Sequence, residues 1–108
     1  MLPTELSKRL AELQAENLRG VAAVFEAETA LAEAEHDLDL IENRAYIRAE
    51  GTVGDRTALA KLESADARLA RDIKRAELNR IRLKLKAIES AMMAIGTQTK
   101  LLGVEARL

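Results

Sequence analysis

Seven carboxylates stand between residues 26 and 42 with no basic side chain among them: Glu26, Glu28, Glu33, Glu35, Asp37, Asp39 and Glu42. Paired carboxylates become an acid and a base only where a cleft gives them opposed environments. Spread over successive turns of one helix they share the same water, and Glu33 with Asp37 and Glu35 with Asp39 repel each other at i,i+4. The run therefore reads as structural, to be offset by a basic stretch laid against it. Within it, Glu33 and His36 have the Glu-x-x-His spacing of di-iron bundles. With Leu31 in the core both would project away from the seam, and no second ligand set is evident, so no metal and no cofactor are expected. The stretch AEGTVGDR, Ala49 to Arg56, holds two of the five glycines. A phosphate loop would need a preceding strand and Gly-x-x-x-x-Gly-Lys-Ser/Thr, and neither occurs. Gly51 sits where a left-handed helix C-cap belongs, and Thr52 with Asp55 has capping-box spacing, so the stretch reads as a turn. The chain has no cysteine, and with it no thiolate nucleophile or Cys-based zinc site. An enzyme is not expected.

The basic residues carry more information. Arg68, Arg71, Arg75, Arg82 and Lys86 fall within about 60° of one another around a helix, forming a cationic line about 27 Å long. Such a line matches a phosphate backbone, because each cation pairing with a phosphate releases counterions. It can equally be a solvated face, or be neutralised by the acidic run. No aromatic residue interrupts it to stack bases. Tyr46, flanked by Arg44 and Arg48 and close to Arg56, is the one candidate for stacking. Net charge is −1, but residues 1–50 carry 5 basic and 11 acidic side chains and residues 51–108 carry 12 and 7.

The elements that position these residues are helices. The chain of 108 residues is 48% hydrophobic and 32% charged, with one Phe, one Tyr and no Trp, a composition of long helices and coiled coils in one domain. Leu6, Leu10, Leu13, Asn17, Gly20, Val24, Ala27, Leu31, Ala34, Leu38, Ile41 and Ala45 follow one another at strict 4,3 spacing, a coiled-coil seam weakened at Asn17 and Gly20. Helix one is expected over about 4–50 with a break near 20, the turn over 51–55, and helix two over about 56–95. Gly96 would end helix two, and Thr97 would cap a short C-terminal helix over about 97–107. Helix two carries two stripes. Leu59, Leu62, Ala65, Leu69, Ile73 and Ala76 form the first. Leu78, Ile81, Leu85, Ile88, Met92, Ile95 and Leu102 form the second, about 110° around the helix. One face cannot bury both, so the second stripe is assigned to an oligomer interface. The expected fold is all-α: a long antiparallel, coiled-coil-like helical hairpin with a short C-terminal helix, assembled into a homo-oligomer. The start, MLPTELSKRL, lacks the pattern of a signal peptide, and no apolar run is long enough to span a bilayer, so a cytoplasmic protein is expected.

A first helix ending in RAYIRAEGTVGDR, a basic helix ADARLARDIKRAELNRIRLKLKAIESAM and a tail AIGTQTKLLGVEA resemble small helical proteins of tailed phages, some of them similar to UvsY-type recombination mediators. The resemblance covers roughly residues 20–105 and rests on pattern: a Tyr before a Gly-containing tip, a long Ala- and Arg-rich helix, and a glycine before the last segment. It implies a non-enzymatic oligomer in the bacterial host cell that binds single-stranded DNA and helps load a recombinase in place of a single-strand-binding protein. It would make Arg44, Arg48 and Arg56 at the tip, and the Arg68 to Lys86 line, the DNA-contacting positions. The alternative reading is a coiled-coil adaptor or inhibitor acting only through protein contacts.

Overall fold

A computed structural model of the chain describes residues 3–107, with side chains described as far as Gly103. Three helices follow in order: α1 (Pro3–Arg48), α2 (Val53–Glu63) and α3 (Ala65–Arg107), with no strand among the described residues. They form two compact units. Unit 1 takes residues 1–24 with 80–108, and unit 2 takes residues 25–79.

The tip folds as its residues dictate. Gly51 has φ 110°, a left-handed conformation that a side chain disfavours. Thr52 then caps α2: its Oγ1 accepts the Asp55 N–H at 3.1 Å, while its own N–H donates to Asp55 Oδ2 at 3.4 Å. Both halves of the capping box are present, so two orphan donors of the helix start are satisfied.

Eleven of the twelve α1 positions of the 4,3 repeat are buried or half-buried, Ala45 at 1% exposure and Leu13 at 2% the most covered, while Ile41 is exposed at 39%. The break expected near residue 20 does not occur, because Gly20 is a contact point. A Cβ there would lie 2.8 Å from Leu85 Cδ1, so the glycine lets Leu85 seat against the α1 backbone inside unit 1. Nor does Gly96 end a helix. α3 runs through it to Arg107, and the segment expected as a separate C-terminal helix is the last part of α3.

The interruption falls at Ser64 instead, which is completely buried. Its Oγ donates to the Lys61 carbonyl at 3.3 Å, a local side-chain bond of the kind that bends helices. Backbone bonds from Ser64 N–H to Ala60 O at 3.1 Å and from Arg68 N–H to Ser64 O at 2.9 Å carry the ladder across the junction.

Helix two faces its partner differently from expectation. The stripe Leu78, Ile81, Leu85, Ile88, Met92, Ile95 and Leu102 is packed within the single chain, with Leu78, Ile88 and Ile95 buried and the others half-buried. Its assignment to an oligomer interface is therefore corrected. The same 3,4 repeat extends backwards without a slip through Lys74, Arg71, Ala67, Ser64 and Ala60, each of them at least half-buried. One continuous heptad seam serves both helices after the turn.

The seam changes character between the units. In unit 1 Leu6, Leu13, Ile88 and Ile95 form the core, with Leu10, Ala91, Met92 and Leu102 packed on it. Fully burying such a side chain contributes about 1.5–3 kcal/mol. In unit 2 the buried side chains are Leu38, Ala45, Ala60, Ser64 and Leu78, far less apolar volume. The stripe expected to be inside here, Leu59, Leu62, Leu69 and Ile73, is exposed, with Leu62 at 73% and Leu69 at 59%.

Candidate nucleic-acid interface

Because the heptad seam passes through Arg71 and Lys74, the helix face that carries Arg68, Arg71 and Arg75 is turned toward α1 in unit 2. Arg68 Nη2 lies 3.3 Å from Glu42 Oε2 and 3.0 Å from Ser64 Oγ, and its Nη1 donates to the Lys61 carbonyl at 3.4 Å. Arg71 is largely covered, its side chain 22% exposed, and Nε pairs with Asp72 Oδ1 at 2.7 Å. Arg75 reaches Glu35 Oε1 at 3.6 Å. The acidic run of α1 thus lies against the basic stretch, with the hairpin register set by Arg48 opposite Glu63, Glu42 opposite Arg68 and Glu35 opposite Arg75. These pairs are half in water, each worth about 0–1 kcal/mol. They order the side chains more than they hold the helices together.

The tip residues are also committed to the fold. The Arg56 guanidinium carbon sits 4.3 Å from the centre of the Tyr46 ring, and Nε and Nη2 donate to the Tyr46 carbonyl at 3.2 and 3.0 Å. The one aromatic candidate for base stacking therefore has a ring face covered by its own chain. Arg48 pairs with Glu63 at 3.3 Å, while Arg44 is exposed and makes no ion pair among the described residues.

The rest of the basic line lies in unit 1, in company that its spacing alone does not reveal. Arg80, Arg82, Lys84 and Lys86 fall within residues 78–88, a stretch without an acidic residue, and all four are exposed. Arg80, Lys84 and Lys86 make no ion pair among the described residues, and Arg82 is engaged. At about 100° per residue, Arg80 and Lys84 flank the Ile81–Leu85 seam on one side and Arg82 and Lys86 on the other. Lys84 lines an open groove of about 540 Å³ shared with Arg19 and Glu16 of α1 and floored by Gly20, Ile81 and Leu85. Arg80 and Lys84 fall outside a line drawn through positions aligned with Arg68. The absence of any carboxylate between Leu78 and Ile88 is the sequence signal that finds them.

Charge is divided between the units. Unit 1 contains nine Lys and Arg against five Asp and Glu, and unit 2 contains eight against thirteen, giving +4 and −5. His36 is exposed, and no cluster of three metal-ligating side chains occurs among the described residues. No described helix is long and apolar enough to cross a membrane. No protein-family model, curated protein or solved structure matches the chain.

Proposed function

We propose that the chain is a non-enzymatic helical-hairpin protein that binds the backbone of single-stranded DNA through the cations of unit 1 and acts as a phage-type recombination mediator beside a recombinase or single-strand-binding protein. The observation that carries the DNA part is the set Arg80, Lys84 and Lys86, exposed and without ion pairs among the described residues, in a unit of net charge +4. The mediator part is supported by the resemblance of the tip, basic helix and tail to that family. Binding is electrostatic and nearly blind to sequence, since no aromatic residue stands in the belt to stack bases. Titration of a labelled oligonucleotide at about 50 mM and about 200 mM salt tests it: affinity falls steeply between the two. No binding by folded protein at the lower salt removes the reading.

A second reading, an adaptor or inhibitor working only through protein contacts, is favoured by a different observation. In unit 2 Arg68 and Arg75 pair with carboxylates of α1 while Leu59, Leu62, Leu69 and Ile73 are exposed. A contiguous apolar face of this kind marks a contact surface. Failure of the DNA titration leaves this reading in place. In both readings the protein self-associates.

A further inference from the structure

Unit 2 carries a groove of about 610 Å³ between α1 and α3. Its apolar lining is mostly alanine, Ala30, Ala34, Ala67 and Ala70, with Ile41 beside them, so an apolar side chain of another helix can enter. Its rim is acidic, with Glu33 and Asp37 from α1 and Asp66 from α3, none of which has an ion pair among the described residues. Lys74, also on the rim, is occupied by Glu77 at 3.5 Å.

Unit 1 displays the complement. Leu83 stands 69% exposed on the outer face of α3. Arg80 and Lys86 lie three residues to either side of it, both exposed and without ion pairs among the described residues. Three residues is nearly one helical turn, so the two cations bracket the leucine on one face, about 9 Å apart along the axis. An apolar knob between two cations fits an alanine-floored groove rimmed by three carboxylates, and the net charges of the units, +4 and −5, attract in the same sense.

We infer that the occupant of the unit 2 groove is unit 1 of a second copy of this chain, with Leu83 on the alanine floor and Arg80 and Lys86 against Glu33, Asp37 and Asp66. This places the interface on the outer face of α3, away from the seam stripe that the chain buries within itself. The contact joins two different patches, so two copies either make it twice, each knob in the other's groove, or make it once and leave a free groove on one copy and a free knob on the other. In the second case it propagates beyond a dimer unless it closes into a larger ring. The pairing stands independently of DNA binding and is measured without DNA.

Analytical ultracentrifugation of the full chain at about 50 mM salt gives a mass that rises with protein concentration above that of the monomer, and high salt lowers it. A concentration-independent monomer overturns the proposal. Charge reversal then separates this pairing from other contacts. Glu33→Lys with Asp37→Lys makes groove and knob both positive, and Arg80→Glu with Lys86→Glu makes both negative. Each double variant alone sediments as a monomer, and an equimolar mixture of the two recovers the association, since each groove then meets a knob of opposite sign. Wild-type association by either variant alone, or a mixture that stays monomeric, overturns it. All four positions are exposed, so circular dichroism is expected to show both variants folded, and the wild-type concentration series decides independently of them.

Discussion

The guanidinium of Arg68 reaches the Glu42 carboxylate across 3.3 Å and so ties the start of α3 to α1. The same group donates to Ser64 Oγ and to the Lys61 carbonyl, on either side of the helix interruption. Arg68→Ala strips a donor from the fully buried Ser64 and is expected to cost about 1–2 kcal/mol, seen as a drop of several degrees in the thermal melt. Glu42→Gln, at a partly exposed partner, is expected to cost under about 1 kcal/mol. Neither changes oligonucleotide affinity. An unchanged melt for Arg68→Ala would show that the contact does not hold the junction.

Three glycines separate by what surrounds them. A Cβ at Gly96 would meet nothing within 4 Å, in the interior of α3. Gly96→Ala is expected to stabilise the protein by about 0.5–1 kcal/mol through helix propensity alone. Gly51→Ala, at φ 110° with Asp55 Cβ 3.3 Å from the new methyl, is expected to destabilise by about 1 kcal/mol. For Gly20→Ala the propensity gain is offset by displacement of Leu85, leaving a change near zero. Denaturant midpoints that place Gly96→Ala below wild type would contradict the continuous α3.

For DNA, replacing Arg80, Lys84 and Lys86 together by Ala is expected to reduce the slope of log affinity against log salt by about 2, roughly 0.7 for each phosphate that a single strand no longer has neutralised. Arg71→Ala with Arg75→Ala is expected to leave that slope unchanged, because Arg71 is mostly covered and Arg75 is turned to Glu35. Anisotropy titrations over a salt series read both. A larger effect from the Arg71 and Arg75 pair would return the DNA surface to unit 2.

Arg80 and Lys86 are claimed both by the phosphate backbone and by the groove of a second copy, and one cation cannot serve both at once. Excess oligonucleotide is therefore expected to lower the sedimenting protein mass per complex, at the salt concentration where both bind. An assembly that binds oligonucleotide and keeps its size would show that the two surfaces are separate.

The sequence pattern located the tip and the α1 seam because each depends on local rules. Gly51, Thr52 and Asp55 act within five residues, and the 4,3 spacing of α1 holds from Leu6 to Ala45, through Asn17 and Gly20. The rotation of helix two was not readable from its most apolar residues. Leu59, Leu62, Leu69 and Ile73 make the stronger stripe between residues 56 and 76, yet the heptad phase set by Leu78, Ile81 and Ile88 runs through Ser64, Arg71 and Lys74. A single helix cannot show that carboxylates on its partner, Glu35 and Glu42, will receive the arginines, and hydrophobicity alone ranks the wrong face. The basic candidates divide along the same line: Arg68 and Arg75, opposite the acidic run, pair with it, and Lys86, beyond it, is exposed without an ion pair among the described residues.

The replacement of leucine and isoleucine by alanine, serine and charged residues along the seam of unit 2 bears on amide exchange with deuterated solvent. A helix pair held by small contacts and half-solvated ion pairs opens at low free energy, whereas a cluster of Leu6, Leu13, Ile88 and Ile95 must be taken apart before its amides exchange. Within the same unbroken α1, amides around Leu38 are expected to exchange at least tenfold faster, on the order of 1.4 kcal/mol, than amides around Leu13. The covalent continuity of a helix does not make it one unit of cooperative stability. Here one helix would carry a durable anchor and a labile arm, and the arm is the part that offers its groove to another molecule.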